Sequence, residues 1–185
     1  MFKYDKKLPY PVNIKKKDLR MAKYIITQFG GPAGELGAFL RYFCHKFSMP
    51  TEEGKALLND IATEEMGHCE MICTMVHQLL KGATTEELME HGLTANYVEH
   101  GLGIYPSDSS GIPFTSGALA STGDCLADLA ENMAAEEKAR VAYEHLIDIT
   151  DEEEIIQPLL FLRQREIVHH ARFLELYKKY KQMGY

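Results

Sequence analysis

Glu65-Met66-Gly67-His68 and Glu166-Ile167-Val168-His169 are both E-x-x-H, a spacing that sets a carboxylate and an imidazole side by side on one face of a helix. Such a pair can ligate a divalent metal or relay a proton. With 8 histidines in the chain, one pair of this kind carries little information, and its place in the helix decides. Stepping by threes and fours through each segment gives Leu58, Ile61, Glu65, His68, Ile72, Met75 and Leu79 in one, and Leu159, Leu162, Glu166, His169, Phe173, Leu176 and Tyr180 in the other. In both, the polar pair interrupts an apolar seam at the same depth. A buried carboxylate is too costly to stand there without a partner or a metal.

The two pairs are 101 residues apart, and the same offset relates Glu35 to Glu136, Ala38 to Ala139 and Tyr42 to Tyr143. The chain is therefore two copies of one hairpin, the first helix of each copy bearing E-x-x-A-x-x-x-Y and the second E-x-x-H. Phase within the repeat selects Glu136 over Glu131 and Glu137, and Glu65 over Glu64. Glu64, Glu70 and Glu137 are expected to face solvent or neighbouring helices. His170 points away from the seam, and His45, His77, His91, His100 and His145 are assigned ordinary surface or core roles. Ala38 and Ala139 leave space beside the cluster. Tyr42 and Tyr143 either hydrogen-bond the carboxylates from outside or simply pack.

One Glu from each of two helices, with Glu-x-x-His from each of the other two, is the dimetal carboxylate pattern of ferritin-like bundles. Glu35, Glu65, His68, Glu136, Glu166 and His169 are the expected ligands. Four carboxylates balance two divalent cations, and hard oxygens with two imidazoles suit manganese or iron. Cys69, Cys73 and His77 also recur at helical spacing and could chelate a soft metal, although with 4 cysteines and no C-x-x-C the better reading is reduced thiols.

These residues require long helices, and apolar residues recur at three- and four-residue steps with no sustained alternation, so the fold class is all-α. The first helix is expected from about Asp18 to Phe47. The second starts at Thr51 as N-cap and stops at Gly82, the third spans about Asp124 to Thr150, and the fourth spans about Asp151 to Met183, with Pro158 kinking or delaying its start. A Gly-, Ser- and Pro-rich crossover from Ala83 to Gly123, with one short helix at Thr85 to His91, separates the second helix from the third. Tight connections inside two hairpins and one long crossover between them define a ferritin-like four-helix bundle. Residues 1–17, with Pro9 and Pro11, read as an extended arm, and 18–185 as a single domain.

The net charge of −7 argues against nucleic-acid binding, Lys15-Lys16-Lys17 being the lone basic run and a solvated one. No segment has the length of a membrane span, and the N-terminus lacks a secretory leader, so a chain made in the cytoplasm is expected.

The chain resembles the manganese catalases, and among them the short spore-coat members. The resemblance rests on Gly30-Gly31-Pro32-Ala33-Gly34-Glu35-Leu36, Ala62-Thr63-Glu64-Glu65-Met66-Gly67-His68, Ser110-Gly111-Ile112-Pro113-Phe114-Thr115, Ala134-Ala135-Glu136-Glu137-Lys138-Ala139-Arg140 and Phe161-Leu162-Arg163-Gln164-Arg165-Glu166-Ile167-Val168-His169. It implies hydrogen peroxide as substrate, two manganese ions as cofactor, a homo-oligomer that is commonly a hexamer, and assembly with other proteins into a spore coat. Glu166 is then the candidate proton carrier if it is not itself a ligand. Some members have an Arg just before the third-helix glutamate. Here that residue is Ala135, which leaves Glu166 free to turn to the metals and makes it an expected ligand. The same residues would also serve a ferritin-like iron protein, whether ferroxidase or oxidase, or a structural coat protein that keeps its ligands for stability.

Overall fold

The computed structural model describes residues 7–185, so the first six residues of the expected arm lie outside it. Helices α1 (Leu19–Ile25), α2 (Thr27–Gly30) and α3 (Glu35–His45) are followed by the long α4 (Glu52–Leu79). Two short helices, α5 (Thr85–Glu90) and α6 (Thr94–His100), precede α7 (Cys125–Asp148) and α8 (Glu153–Met183). Helix α3 packs on α4 and α7 on α8 along their lengths, which makes the two expected hairpins of a four-helix bundle. No strand occurs among the described residues, and no helix is long and apolar enough to cross a membrane.

The expected first helix, Asp18 to Phe47, is broken. Asp18 caps α1 through Met21 N, but Gly31 and Gly34 are extended, with ψ of 164° and 174°. Pro32 disfavours the helical conformation for the residue before it and brings no N–H of its own. Close packing holds the break in place. A Cβ on Gly30 would lie 2.2 Å from Ser107 N and one on Gly34 would lie 2.7 Å from Gln28 O. The interruption makes Glu35 the first residue of α3, where free backbone N–H groups favour a carboxylate.

The other boundaries follow local chemistry. Thr51 caps α4 through Gly54 N, and Asp124 caps α7 through Leu126 N and Ala127 N. Gly82, with φ of 74°, follows the end of α4. Helix α8 begins at Glu153 and runs on through Pro158, which lies early enough in the helix for the lost backbone hydrogen bond to be tolerated. Helix α5 has the capping box Thr84/Glu87. Helix α6 was not foreseen: its sequence is polar and bracketed by Gly92 and Gly101, both at positive φ.

Two apolar layers sandwich the middle of the bundle. One contains Ile72, Met75, Leu79, Leu159 and Leu162, and the other Leu58, Ile61, Phe173, Leu176 and Tyr180. The arm crosses α4 and α8 as an extended strap. Ile14 N donates to Gln78 Oε1 at 2.6 Å, and Tyr10 stacks on Phe161 with centroids 5.2 Å apart. Lys15, Lys16 and Lys17 pair with Glu154, Glu152 and Glu87 on the surface; such exposed pairs add little stability. At the far end of the crossover, buried His45 binds Ala120 O and Asn132 Oδ1 at 2.6 and 2.7 Å.

Candidate metal centre

Between the two apolar layers lie Glu35, Glu65, His68, Glu136, Glu166 and His169, none more than 2% exposed. All six sequence-predicted residues meet at one place, contributed by α3, α4, α7 and α8. Glu65 is the middle of the cluster. Its Oε2 is 2.7 Å from His68 Nδ1 and its Oε1 is 2.8 Å from His169 Nδ1. Glu35 flanks one imidazole, with Oε2 3.5 Å from His68 Nδ1, and Glu136 flanks the other, with Oε2 3.6 Å from His169 Nδ1. The Glu35–His68 and Glu136–His169 distances match, as the internal repeat requires, whereas Glu65 serves both imidazoles in place of its repeat mate Glu166. The two rings are nearly parallel, 5.8 Å apart.

Ligand atoms of Glu35, Glu65, His68 and Glu166 all lie within 4.8 Å of one another, as do those of Glu65, Glu136 and His169. Glu65 belongs to both groups. Among the described residues no further group of this kind forms, so Cys69, Cys73 and His77 are not brought together as a soft-metal site. Cys69 and Cys125 are buried thiols, and burial pushes the half-buried Cys73 thiol up to about 11.

The electrostatics show what the cluster lacks. Burial, reinforced by the charges of Glu35, Glu136 and Glu65, pushes the Glu166 carboxyl well above the usual range. Burial and Glu65 together bring Glu35 up to about 7. Burial works against ionisation of Glu65 as well, yet the imidazoles of His68 and His169 hold it below the usual carboxylate range. His169 is desolvated, but the carboxylates around it raise it to about 11. Protons here do what cations would do. Glu65 Oε1 and His169 Nδ1 form a close ionic contact that is not aligned as a hydrogen bond, and both oxygens of Glu136, Glu166 Oε1 and the Nε2 atoms of His68 and His169 are likewise buried without a hydrogen bond, a rare condition for groups so costly to desolvate. Four carboxylates and two imidazoles with inward-facing free atoms fit a pair of divalent cations of the manganese or iron type.

The aromatic pair splits. Tyr143 donates its hydroxyl to Glu35 Oε1 and so braces a carboxylate contributed by the opposite hairpin. Tyr42, equally buried, lies near Glu136, whose charge adds to burial in raising its phenol well above its ordinary value; its hydroxyl has no hydrogen-bond partner.

Glu64 faces a neighbouring helix, one of the two settings expected of it, and is half-buried behind the cluster. It takes Arg165 Nε at 2.6 Å and stands 3.1 Å from His169 Nε2 and 3.6 Å from His68 Nε2. A signal was available: Glu64 and His68 are four residues apart on one helix face, and Glu64 is the repeat mate of Arg165. Glu137 does lie on the surface, paired with Arg140. Arg163 engages Glu144. His45, assigned an ordinary role, is a core residue that fastens the crossover.

The chain is similar to known proteins over its length. The family model described as manganese containing catalase matches residues 1–183. Protein CotJC of Bacillus subtilis (strain 168) is 48% identical over 175 residues, 95% of this chain and 92% of that one. A probable manganese catalase of Clostridium acetobutylicum is 33% identical over 186 residues, 100% of this chain and 83% of its own. The crystal structure of wild-type KatB, a manganese catalase from Anabaena, has the same fold with a TM-score of 0.89 and 33% identity, covering 100% of this chain and 83% of that one.

Proposed function

Because this chain belongs to the manganese-containing catalase family, we propose that it disproportionates hydrogen peroxide at two manganese ions held by Glu35, Glu65, His68, Glu136, Glu166 and His169. The observation that carries this reading is the position of Glu65, 2.7 and 2.8 Å from two imidazoles that are each flanked by a second carboxylate. When bound, the manganese pair supplies the two-electron exchange that turns two molecules of hydrogen peroxide into two of water and one of dioxygen.

The protein's own groups supply the remainder. Glu65 would be the shared ligand, Glu35 with His68 and Glu136 with His169 would complete the two halves, and Glu166 would join the half that contains Glu35. Tyr143 fixes the Glu35 carboxylate by a charge-assisted hydrogen bond. Glu166 is also the proton carrier. In the metal-free protein burial and its three acidic neighbours hold the proton on its carboxyl, which makes it the candidate to pass protons between peroxide and water. The apolar layers on either side exclude bulk water and restrict access to a small substrate.

The resemblance to short spore-coat members and the 48% identity to CotJC support a place in the spore coat, in contact with other coat proteins. Family membership supports a homo-oligomer, with the hexamer as the expected form. Oxygen evolution from hydrogen peroxide by protein loaded with manganese, and separately with iron, tests the proposal. Turnover by the manganese form that disappears in Glu65→Ala is the expected result. A manganese-loaded protein that evolves no oxygen above the free ion would leave a structural coat role, and turnover with iron alone would move the assignment to the di-iron oxidases.

A further inference from the structure

The two halves of the site match residue for residue except at one position. Counting back one residue from the glutamates of the E-x-x-H pairs gives Glu64 in the first half and Arg165 in the second, again 101 residues apart. These repeat mates touch each other. Two residues related by a pseudo-twofold can do so only where the axis passes between them, so the Glu64–Arg165 pair marks the axis behind the cluster. Like charges at both positions would repel across it, and opposite charges bind.

The imidazoles use this arrangement. Both present Nδ1 to Glu65 and Nε2 to the rear, where each Nε2 is buried without a hydrogen bond in the metal-free protein and Glu64 is the carboxylate beside them: Oε2 is 3.1 Å from His169 Nε2 and Oε1 is 3.6 Å from His68 Nε2. An imidazole that coordinates through one nitrogen carries its proton on the other, and an acceptor there fixes the tautomer, orients the ring and makes the coordinating nitrogen a better donor. Ordinarily each ligand has its own acceptor. Near the axis one carboxylate can serve two rings.

Resting on the metal-binding role proposed above, we infer that Glu64 is a positioning residue for both histidines, one axial carboxylate that aims His68 and His169 at the two metals. Arg165 in turn sets Glu64. Its Nε donates to Oε1 at 2.6 Å and its Nη2 to Oε2 at 3.3 Å, so the oxygen nearer His68 carries the stronger guanidinium bond. His169 therefore has the closer and less committed acceptor, and the two imidazoles are held unequally from behind.

The test measures manganese(II) binding by competition against a chromophoric chelator in wild type, Glu64→Gln and Arg165→Met, alongside thermal melts of each metal-free protein. Glu64→Gln keeps size and shape, and is expected to weaken manganese affinity 10- to 100-fold while the metal-free melting temperature stays close to wild type. Arg165→Met leaves the carboxylate in place and is expected to lose less affinity than Glu64→Gln. The electron paramagnetic resonance signal of the bound manganese should change between wild type and Glu64→Gln. Unchanged affinity in Glu64→Gln overturns the inference and leaves the metal site standing. Equal affinity losses in both variants, tracking equal losses in metal-free melting temperature, would reduce the pair to a structural bridge. Failure of wild type to bind manganese would sink the metal site itself, a distinguishable result.

Discussion

Glu65 and Glu166 are repeat mates of the same residue type at the same depth, yet the structure gives them opposite electrostatic duties, and replacing each by Gln should separate them. In the metal-free protein Glu65 is the carboxylate that holds two buried imidazoles, at 2.7 and 2.8 Å. Removing one partner of a buried pair strands the other charge, and such losses run to about 3–5 kcal/mol. The amide is isosteric, so no cavity contributes. For a chain of 185 residues, where each kcal/mol moves the melting temperature by about 2–4 °C, Glu65→Gln should melt roughly 10 °C below wild type. Glu166 is crowded by Glu35, Glu136 and Glu65, and burial adds to their effect in holding its proton on. A Gln there removes an ionisable group that the fold already resists ionising, so Glu166→Gln should melt within about 2 °C of wild type, or above it. Once manganese is bound both variants should lose affinity, because each lacks a ligand oxygen with charge. The assay is thermal melting by circular dichroism in excess chelator at about pH 6, repeated with manganese. Equal destabilisation of the two metal-free variants, or a larger one for Glu166→Gln, would refute the assignment of Glu65 as the ionised centre of the cluster.

Other outcomes follow from single features. Metal-free protein should lose stability as the pH rises. The Glu35 carboxyl, raised from 4.5 to about 7, contributes fully below about pH 4.5 and loses its contribution as pH passes 7, while His169, raised from 6.5 to about 11, contributes fully below 6.5 and weakens the fold from there upward. Glu65, held low, acts in the opposite sense and loses its contribution on acidification. Melting temperatures in chelator should peak near pH 5 and fall by pH 9; a rise between those values would contradict the assignment. Gly30→Ala puts a methyl 2.2 Å from Ser107 N, so the crossover must shift, at a cost of about 1–3 kcal/mol, readable as a lower urea midpoint. Tyr143→Phe removes the hydroxyl that braces Glu35 and should lower manganese affinity several-fold in a chelator competition while the fold persists. Unchanged affinity would make that tyrosine a packing residue only.

The six buried site residues were legible because the chain states the site twice. The 101-residue offset aligned Glu35 with Glu136 and the two E-x-x-H pairs with each other, and the apolar steps around them set their depth. Caps were legible for the same local reason: Thr51 and Asp124 precede helical runs and accept the expected backbone N–H groups. The break at Gly31 to Gly34 was written in Gly-Gly-Pro, but the apolar pattern continued across it, and the close approach of Pro106 and Ser107 to Gly30 helps to hold it. That contact is long-range and leaves no periodic mark. The approach of Glu64 to both imidazoles was missed for the reason that made Glu65 visible. Phase separates core from surface, and a residue on the boundary that reaches the rear of two ligands from behind looks like a surface carboxylate. Helix α6 holds few apolar residues and packs on α5, where Thr85 donates to the Tyr97 hydroxyl, so its sequence carried too little pattern to identify it.

Anomalous diffraction at the manganese edge, from crystals of protein loaded with manganese, tests the central claim most directly. Two peaks are predicted, one between Glu35, Glu65 and His68 and the other between Glu65, Glu136 and His169, with the Glu65 carboxylate reaching both. A single peak, or manganese bound away from Glu65, would contradict a site built from the two halves of the repeat.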